Sequence, residues 1–313
     1  MQPSHRSELR PFHAIDFLQE ANRLERAGRD IVHMEAGQPG APAPERVRAA
    51  AKAFVEQGRA PYTDGLGLPD LRAKIAGLYG ERYDLDLDPG RIAVTLGSSG
   101  AFIATFVTAF DQGARLGVTE PCYPAYPNLA KSLGLEAVLL PGAPQSGFQP
   151  TPDLLEEAGP LDGLLIASPA NPTGAVMPRA ALKAICEGRR DADCVLISDE
   201  IYHGVNFIGR DDTALAFNPD AFVVNSFSKY FAMPGWRIGW VVAPERFMRP
   251  LETLLQNLFI APHTVSQHAA IAAFEERAYF DDLVLRYKTN RDVLMKAISE
   301  VGLKAAAEPG GAF

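Results

Sequence analysis

The stretch that decides the fold is residues 163–200, GLLIASPANPTGAVMPRAALKAICEGRRDADCVLISDE, in which two short apolar runs enclose a segment of helical length. Both runs are continuous rather than alternating, as strands buried on both faces of a parallel sheet require. The same alternation extends outward from about Arg91, through IAVTL, RLGVTE, EAVLLP, FVVNS and IGWVVAP. We therefore predict an α/β fold with a mostly parallel, doubly wound sheet.

The two ends of the chain are expected to form other elements. Near the end, Gly302 follows an apolar face that repeats at helical spacing, which predicts a long helix. Its face consists of Phe280, Leu283, Tyr287, Asn290, Leu294 and Ile298. At the start, we expect a helix, a short strand around residues 31–34 and a domain crossing at GQPGAPAPE. The predicted division is an N-terminal arm with part of a small domain at 1–44, a large domain at 45–285, and the start of a smaller, incomplete α+β domain at 286–313.

Composition and charge exclude several classes of protein. The 313 residues are 47% hydrophobic and 22% charged, so the chain can bury a large core. Its 30 basic and 38 acidic residues give a formal charge of -8, which repels nucleic acid and anionic lipid. Apolar runs are too short for a membrane span or a signal peptide. Three cysteines without metal-binding spacing indicate a reducing compartment, so we expect a cytoplasmic protein without a metal site.

Polar residues follow five of the apolar runs, at the strand ends where open parallel sheets bind their ligands. In GSSGA, Ser98, Ser99 and Gly100 open a helix, whose free backbone donors form an anion site. The alternative there is a serine that merely caps a buried helix. In NSFSKYFAMPGWRIGW, Ser226, Ser228 and Arg237 offer phosphate donors around the amine of Lys229. A lone lysine would be a solvated surface charge, but these neighbours favour a phosphate cradle with a nucleophile.

Four further residues carry groups suited to a flat, cationic ring. Asp199 ends an apolar strand, where a carboxylate needs either an arginine or the charged nitrogen of a bound heterocycle. Tyr202 lies three residues further on, either near that ring or satisfied locally. Tyr123 in PCYPAYPN either stacks on the ring or covers the core. Asn171 precedes a proline, either with its amide free to donate or in a simple turn.

In combination, these motifs resemble the class I and II aminotransferases, which are pyridoxal-phosphate enzymes of the aspartate aminotransferase fold, fold type I. AGQPG, YTDGLGLPDLR, LGSSGAF, PCYPAY, ASPANPTG, DEIYHG and SFSKYFAMPGWRIGW occur in the family's order across almost the whole chain. The resemblance implies that Lys229 forms a Schiff base with pyridoxal 5'-phosphate and later moves a proton. It also implies that Asp199 pairs with the pyridinium nitrogen, while Tyr202 and Asn171 bind the phenolic oxygen.

The resemblance assigns the remaining site residues and a partner. Tyr123 stacks on the ring, and Gly37 lines the substrate's side together with Asn171. Tyr62 resembles the tyrosine that reaches the phosphate across a dimer interface, which implies a homodimer with shared active sites. The substrates implied are an amino acid and a 2-oxo acid. The phosphate is held by Ser98, Ser99, Gly100, Ser226, Ser228 and Arg237.

One departure from the family pattern leaves alternatives open. The family's arginine for the substrate carboxylate lies beyond the point where this sequence reads EPGGAF. We therefore expect a truncated chain, in which transamination suffers more than cofactor binding. The same cofactor site also serves C–S β-lyases and other α,β-eliminating enzymes. Two further alternatives are a cofactor-binding protein with little catalysis and a regulatory domain, although the short, weakly basic N-terminus argues against the latter.

Overall fold

A computed structural model describes residues 2–311. Seven strands form one sheet in the order β1-β7-β6-β5-β4-β2-β3. Strands β2 to β6 are parallel, and β7 is antiparallel to both of its neighbours, β6 and β1. The prediction of a mostly parallel α/β sheet is confirmed. The strands are β1 (Ile92–Thr95), β2 (Arg115–Glu120), β3 (Glu136–Pro141), β4 (Gly163–Ala167), β5 (Val195–Asp199), β6 (Phe222–Ser226) and β7 (Gly239–Val242).

Ten α-helices in the described part of the chain surround the sheet. They are α1 (His13–Arg26), α2 (Glu45–Glu56), α3 (Pro69–Tyr83), α4 (Gly97–Ala109), α5 (Ala125–Ser132), α6 (Pro152–Glu157), α7 (Arg179–Asp191), α8 (Glu245–Phe259), α9 (Thr264–Ala273) and α10 (Arg277–Glu300). The long helix predicted near the end is α10, and Gly302 follows it with a φ of 80°. No helix in the described ranges has the length and apolar character that a membrane crossing needs.

Apolar side chains project from both faces of the central strands and pack into two hydrophobic cores, one on each face of the sheet. In β6, Val223 packs into the core that includes α2, α3, α9 and α10, whereas Val224 packs into the core of α4, α5 and α8. In β7, Trp240 and Val241 divide in the same way. Because successive side chains of a strand point to opposite faces, burial on both sides requires a continuous apolar run. This explains why the sequence pattern identified these strands.

The predicted strand at residues 31–34 is wrong. The segment has no regular secondary structure, and Val32 and Met34 are 81% and 78% exposed. The ring of His33 lies between Glu25 and Glu35, at 3.2 and 2.6 Å. A short apolar run forms a strand only where a neighbouring edge can accept its backbone hydrogen bonds.

The three-part domain division stays a prediction. Its boundary between residues 285 and 286 falls inside α10. Residue 1 of the predicted arm and residues 312 and 313 of the predicted C-terminal domain lie outside the described residues.

Candidate active site

Strand direction brings four segments to one edge of the sheet. Because β5 and β6 are parallel neighbours, Asp199 and the SFSKY segment leave the sheet at the same edge. β7 runs antiparallel to β6 and pairs Gly239 with Ser226, which returns Arg237 to that edge. β1 in turn pairs Thr95 with Gly239, so α4 begins there as well. The predicted groups therefore converge where open α/β sheets bind ligands.

Asp199 forms the buried end of this site. Its side chain is 5% exposed, and its two oxygens accept hydrogen bonds from the Tyr126 hydroxyl and from the Ile201 amide, the latter at 3.1 Å. Burial raises the pKa of Asp199 to about 6, although both hydrogen bonds act in the opposite direction. Within the described part of the chain, its partners are thus a phenol and an amide rather than an arginine. The sequence reasoning missed Tyr126, which follows Tyr123 by three residues.

Lys229 is half-buried and turned toward the N-terminal segment rather than toward solvent. Its Nζ donates a 2.6 Å hydrogen bond to the Gly37 carbonyl and lies 5.4 Å from the centre of the Tyr202 ring. Burial lowers the pKa of Lys229 to about 8, with Arg237 acting in the same direction and Asp199 opposing it. A lysine with this pKa has about a tenth of its amine free at pH 7, whereas an ordinary lysine has well under a hundredth, and the free amine is the nucleophile. The interpretation as a solvated surface charge does not fit.

Arg237 and the start of α4 form a cradle that suits an anion. Gly97 has a φ of 68°, and a Cβ atom there would lie 2.5 Å from the Arg237 Nη2. The guanidinium therefore occupies the space that a side chain at Gly97 would fill. Ser98 is half-buried and Ser99 exposed in the first turn, where the backbone N–H groups lack helical acceptors. Leu96, without a side-chain hydrogen bond, caps this helix, so the alternative of a serine cap is wrong.

Two serines lie behind the cradle. The Ser226 hydroxyl donates to the Ile238 carbonyl at 3.0 Å and lies 2.8 Å from the Ser228 hydroxyl. Both side chains are buried. Ser226 thereby ties the end of β6 to the residue that follows Arg237.

Asn171, Tyr202 and Tyr123 are the other predicted contacts of the ring. The Asn171 side chain hydrogen-bonds the buried Tyr202 hydroxyl. The half-buried ring of Tyr123 meets Phe12 and Tyr126 edge to face, with centroid distances of 5.6 and 5.4 Å. Burial and the Asp199 charge raise the pKa of Tyr123, while Arg237 opposes the shift, which places this ring within electrostatic reach of both ends.

Tyr62 is the predicted site residue that lies apart from this group in a single chain. Its side chain is 77% exposed. A cavity of about 150 Å³ opens beside Lys229 and extends the site toward the N-terminal segment. Besides Lys229, two of its eight lining residues were predicted from the sequence as substrate or cofactor contacts, Gly37 and Tyr202. The cavity is lined by Ala36, Gly37, Gln38, Pro39, Tyr202, Val205, Lys229 and Tyr287.

These residues fit pyridoxal phosphate. Gly97 leaves room for the guanidinium of Arg237 beside a helix N-terminus, which suits a phosphate. A buried carboxylate at Asp199 suits a ring nitrogen that must stay protonated. The amine of Lys229, whose pKa is lowered, interacts electrostatically with both Asp199 and Arg237. In the described residues, no group of three or more histidine, cysteine or acidic side chains is placed to hold a metal ion.

Comparisons with known proteins agree with this chemistry. Residues 29–313 match the model of the family "Aminotransferase class I and II". The chain is 42% identical to the valine–pyruvate aminotransferase of Mycobacterium tuberculosis, over 98% of this chain and 81% of that protein. It is 31% identical to the aspartate/prephenate aminotransferase of Thermus thermophilus, over 97% of this chain and 81% of that protein.

Solved structures give the same result. The crystal structure of an aminotransferase from Mycobacterium tuberculosis matches with a TM-score of 0.96 and 41% identity, over 100% of this chain and 82% of that one. Aspartate aminotransferase from Thermus thermophilus with maleate matches with a TM-score of 0.95 and 30% identity, over 100% of this chain and 84% of that one.

The fold and its lysine-centred site define a fold type I aminotransferase. The chain belongs to the aminotransferase class I and II family, whose members use pyridoxal phosphate to transfer amino groups. The predicted enzyme class, a pyridoxal-phosphate-dependent transaminase, is confirmed. The roles of the individual site residues stay predictions.

Proposed function

We propose that this chain binds pyridoxal phosphate through Lys229 and transfers amino groups between an amino acid with a small apolar side chain and a 2-oxo acid. The observation that carries the choice of substrate is the cavity beside Lys229. It measures about 150 Å³, and Lys229 is the one charged side chain among its eight lining residues. Among the described residues, the cavity offers a second carboxylate, as in aspartate, no cationic partner besides Lys229, so its burial there is costly.

The chain's residues divide the catalytic work. Bound pyridoxal phosphate supplies a ring that accepts electrons from the substrate's α-carbon. Asp199 would keep a proton on the ring nitrogen, and Tyr202 and Asn171 would orient the ring through its phenolic oxygen. Lys229 would attach the cofactor and then, as a free amine, would take the proton from the α-carbon of the substrate onto its Nζ. Tyr123 would fix the plane of the ring by stacking on it. The cradle at Gly97 and Arg237 would hold the phosphate.

Two relatives frame the choice of substrate. The relative with 42% identity is named for valine and pyruvate, and the relative with 31% identity for aspartate and prephenate. Ala36, Pro39 and Val205 give the cavity an apolar wall that matches the side chain of valine. We therefore assign valine as donor and pyruvate as acceptor.

The test is a comparison of kcat/KM for valine and aspartate, each with pyruvate as acceptor. We expect valine to be preferred, and a preference for aspartate would overturn the assignment. Gln38→Arg adds a cation at the cavity and is expected to raise the aspartate to valine ratio about tenfold or more. The matched control is Gln57→Arg, on the exposed end of α2 outside the cavity. Pyruvate and ammonia released from cysteine without an acceptor would instead favour a β-lyase.

A homodimer with shared active sites forms part of this proposal. Pro61 and Thr63, on either side of the exposed Tyr62, are held by Thr264 and Gln267 at 2.9 and 3.0 Å. Tyr62 is thus presented outward from an anchored segment, with its side chain 77% exposed. Mixing Lys229→Ala and Tyr62→Phe subunits tests the sharing. A hybrid dimer with one intact site is expected to recover activity, whereas independent sites would leave no gain on mixing.

The cytoplasm is the proposed location. Cys122, Cys186 and Cys194 are all free thiols, as is usual in a reducing compartment. Formation of a disulfide between any two of them in protein isolated from its cell would count against this location.

A further inference from the structure

Asp199 has a direct partner, Tyr126, to which the sequence analysis assigned no role although it ends the PCYPAY motif. Its Oδ2 accepts a hydrogen bond from the Tyr126 hydroxyl, and its Oδ1 accepts one from the Ile201 amide. The amide bond belongs to the backbone turn after β5. The Tyr126 bond instead comes from a separate element, the first turn of α5.

Packing holds Tyr126 in place from two sides. Its ring meets Phe102 of α4 edge to face at 5.3 Å and meets Tyr123 at 5.4 Å. The side chain is 2% exposed, so water has no ready access to the Asp199 oxygen that it serves. A buried donor of this kind cannot be replaced by solvent when it is removed. Loss of the Tyr126 hydroxyl therefore destabilises the ionised form of Asp199.

Other titratable groups surround Asp199, and some of them also affect the stability of its charge. Lys229 and Tyr202 lie on the cavity side, and Tyr123 lies beside Tyr126. Behind the strand, Glu200 disfavours the charge on Asp199, and His203 favours it. His203 lies 3.3 Å from Glu200 and 2.6 Å from the Tyr83 hydroxyl. Among these groups, Tyr126 is the one side chain that donates a hydrogen bond to the carboxylate itself.

We propose that Tyr126 is a positioning residue that keeps Asp199 ionised and aimed at the cofactor's ring nitrogen. The inference rests on the proposed function, because it concerns the same cofactor site. The same short segment would then supply two functions, since Tyr123 would stack on the ring and Tyr126 would hold the carboxylate that pairs with the ring nitrogen. A hydrogen bond to the ionised form of a carboxyl group lowers its pKa. Removal of the Tyr126 hydroxyl therefore protonates Asp199 at a higher pH.

The test uses Tyr126→Phe and measures binding of pyridoxamine phosphate by equilibrium dialysis between pH 5.5 and pH 8.5. This ligand does not attach to Lys229, so its affinity reports the carboxylate without covalent chemistry. We expect the acid limb of affinity to move up by roughly one pH unit, as the loss of a hydrogen bond to a charged group implies. Affinity should fall about fivefold near pH 6, approach a tenfold loss at lower pH, and converge with the wild type near pH 8.5.

Tyr79→Phe is the matched control. It also removes a buried phenolic hydroxyl, which accepts a 3.2 Å hydrogen bond from Trp240 away from Asp199. We expect it to lower stability without moving the pH profile. An equal loss of affinity at every pH in Tyr126→Phe would assign Tyr126 a packing role and overturn the proposal.

A second variant gives the opposite sign and serves if Tyr126→Phe does not fold. Site-specific 3-fluorotyrosine at position 126 makes the phenol a stronger donor, so the acid limb should move to lower pH. A shift upward or no shift would contradict the proposal. Failure of the wild type to bind pyridoxamine phosphate at any pH would instead reject the proposed cofactor, which separates the two claims.

Discussion

The two ends of the site hold opposite charges, a buried carboxylate at the ring end and an exposed guanidinium at the phosphate end. At the ring end, Asp199 is 5% exposed and carries a pKa raised to about 6 by burial. At the phosphate end, Arg237 lies at the surface, with its guanidinium against Gly97 and its Nη1 donating to the Pro234 carbonyl at 3.0 Å. The ring end is sensitive to protonation, because burial penalises its charge. The phosphate end is sensitive to position, because a guanidinium keeps its charge at any working pH.

Lys229 interacts electrostatically with Asp199 and with Arg237. Its removal separates the contributions of the two ends from covalent attachment. Lys229→Ala is expected to abolish the absorbance of pyridoxal phosphate attached to the protein and to abolish transamination. Binding of pyridoxamine phosphate should persist, because both ends are intact. Absorbance spectra after gel filtration check the first outcome, and equilibrium dialysis checks the second. A retained band would show that another lysine is the point of attachment.

The second-largest effect is the pH dependence of attachment at Lys229. The pKa of this amine is lowered from 10.5 to about 8, and the free amine is the nucleophile. The initial rate of attachment should therefore rise roughly fiftyfold from pH 6 to pH 8 and level off above pH 9. Stopped-flow absorbance of apoprotein mixed with pyridoxal phosphate measures it. A rate that keeps rising tenfold per pH unit to pH 10 would contradict the lowered pKa.

Much of this site could be predicted from sequence because parallel strands bury both faces. The apolar runs located the strands, and the topology rule then placed Asp199, Lys229 and Arg237 at one edge. Tyr126 could not be found in this way. Its role depends on the hydrogen bond that joins α5 to Asp199 at the end of β5, which is a contact between distant elements that local patterns do not encode.

The segment at residues 31–34 also shows that local patterns do not encode contacts between elements, because here a predicted element is not formed. Its apolar residues have the composition of a strand, but no edge of the sheet in the described structure pairs with it. Its neighbour Gly37 is instead positioned by the hydrogen bond from Lys229. Local propensity thus predicts a strand only where the tertiary structure offers a partner.

Substitution at the phosphate end tests whether position decides there. Gly97→Ala places a Cβ atom 2.5 Å from the Arg237 Nη2 and must displace the guanidinium. We expect affinity for pyridoxamine phosphate to fall on the order of tenfold, equally at pH 6 and pH 8. Gly113→Ala is the matched control, because Gly113 also has a positive φ, 84°, but a Cβ atom there would meet no other atom within 4 Å. It shares the backbone strain without the contact, so its affinity should match the wild type.

A pH-dependent loss in Gly97→Ala would break the comparison. The two ends would then be coupled through the electrostatics of the site rather than held independently. Dialysis at the two pH values decides between these outcomes.

The smallest effect is on the stability of the apoprotein, where the buried charge of Asp199 is a cost. Its folded pKa of about 6 lies above the ordinary value of 3.8, so the folded state binds the proton more tightly than the unfolded state. The stabilisation from the protonated form is complete below pH 3.8 and is lost as the pH rises through 6. At pH 8 the folded apoprotein therefore carries the full penalty. Asp199→Asn removes the charge while keeping an oxygen for the Ile201 amide.

We expect Asp199→Asn to raise the free energy of unfolding of the apoprotein by about 1 kcal/mol at pH 8 and by less at pH 5. Urea unfolding at the two pH values measures it, with Asp86→Asn on the surface as a control for the loss of a carboxylate. Saturating pyridoxamine phosphate should reverse the order, because only the wild type can pair its buried charge with the ring nitrogen. A variant that is less stable than the wild type at pH 8 without ligand would show that the two hydrogen bonds outweigh burial. The charge of Asp199 would then carry no net free-energy cost in the folded apoprotein, and the ring end would resemble the phosphate end in this respect.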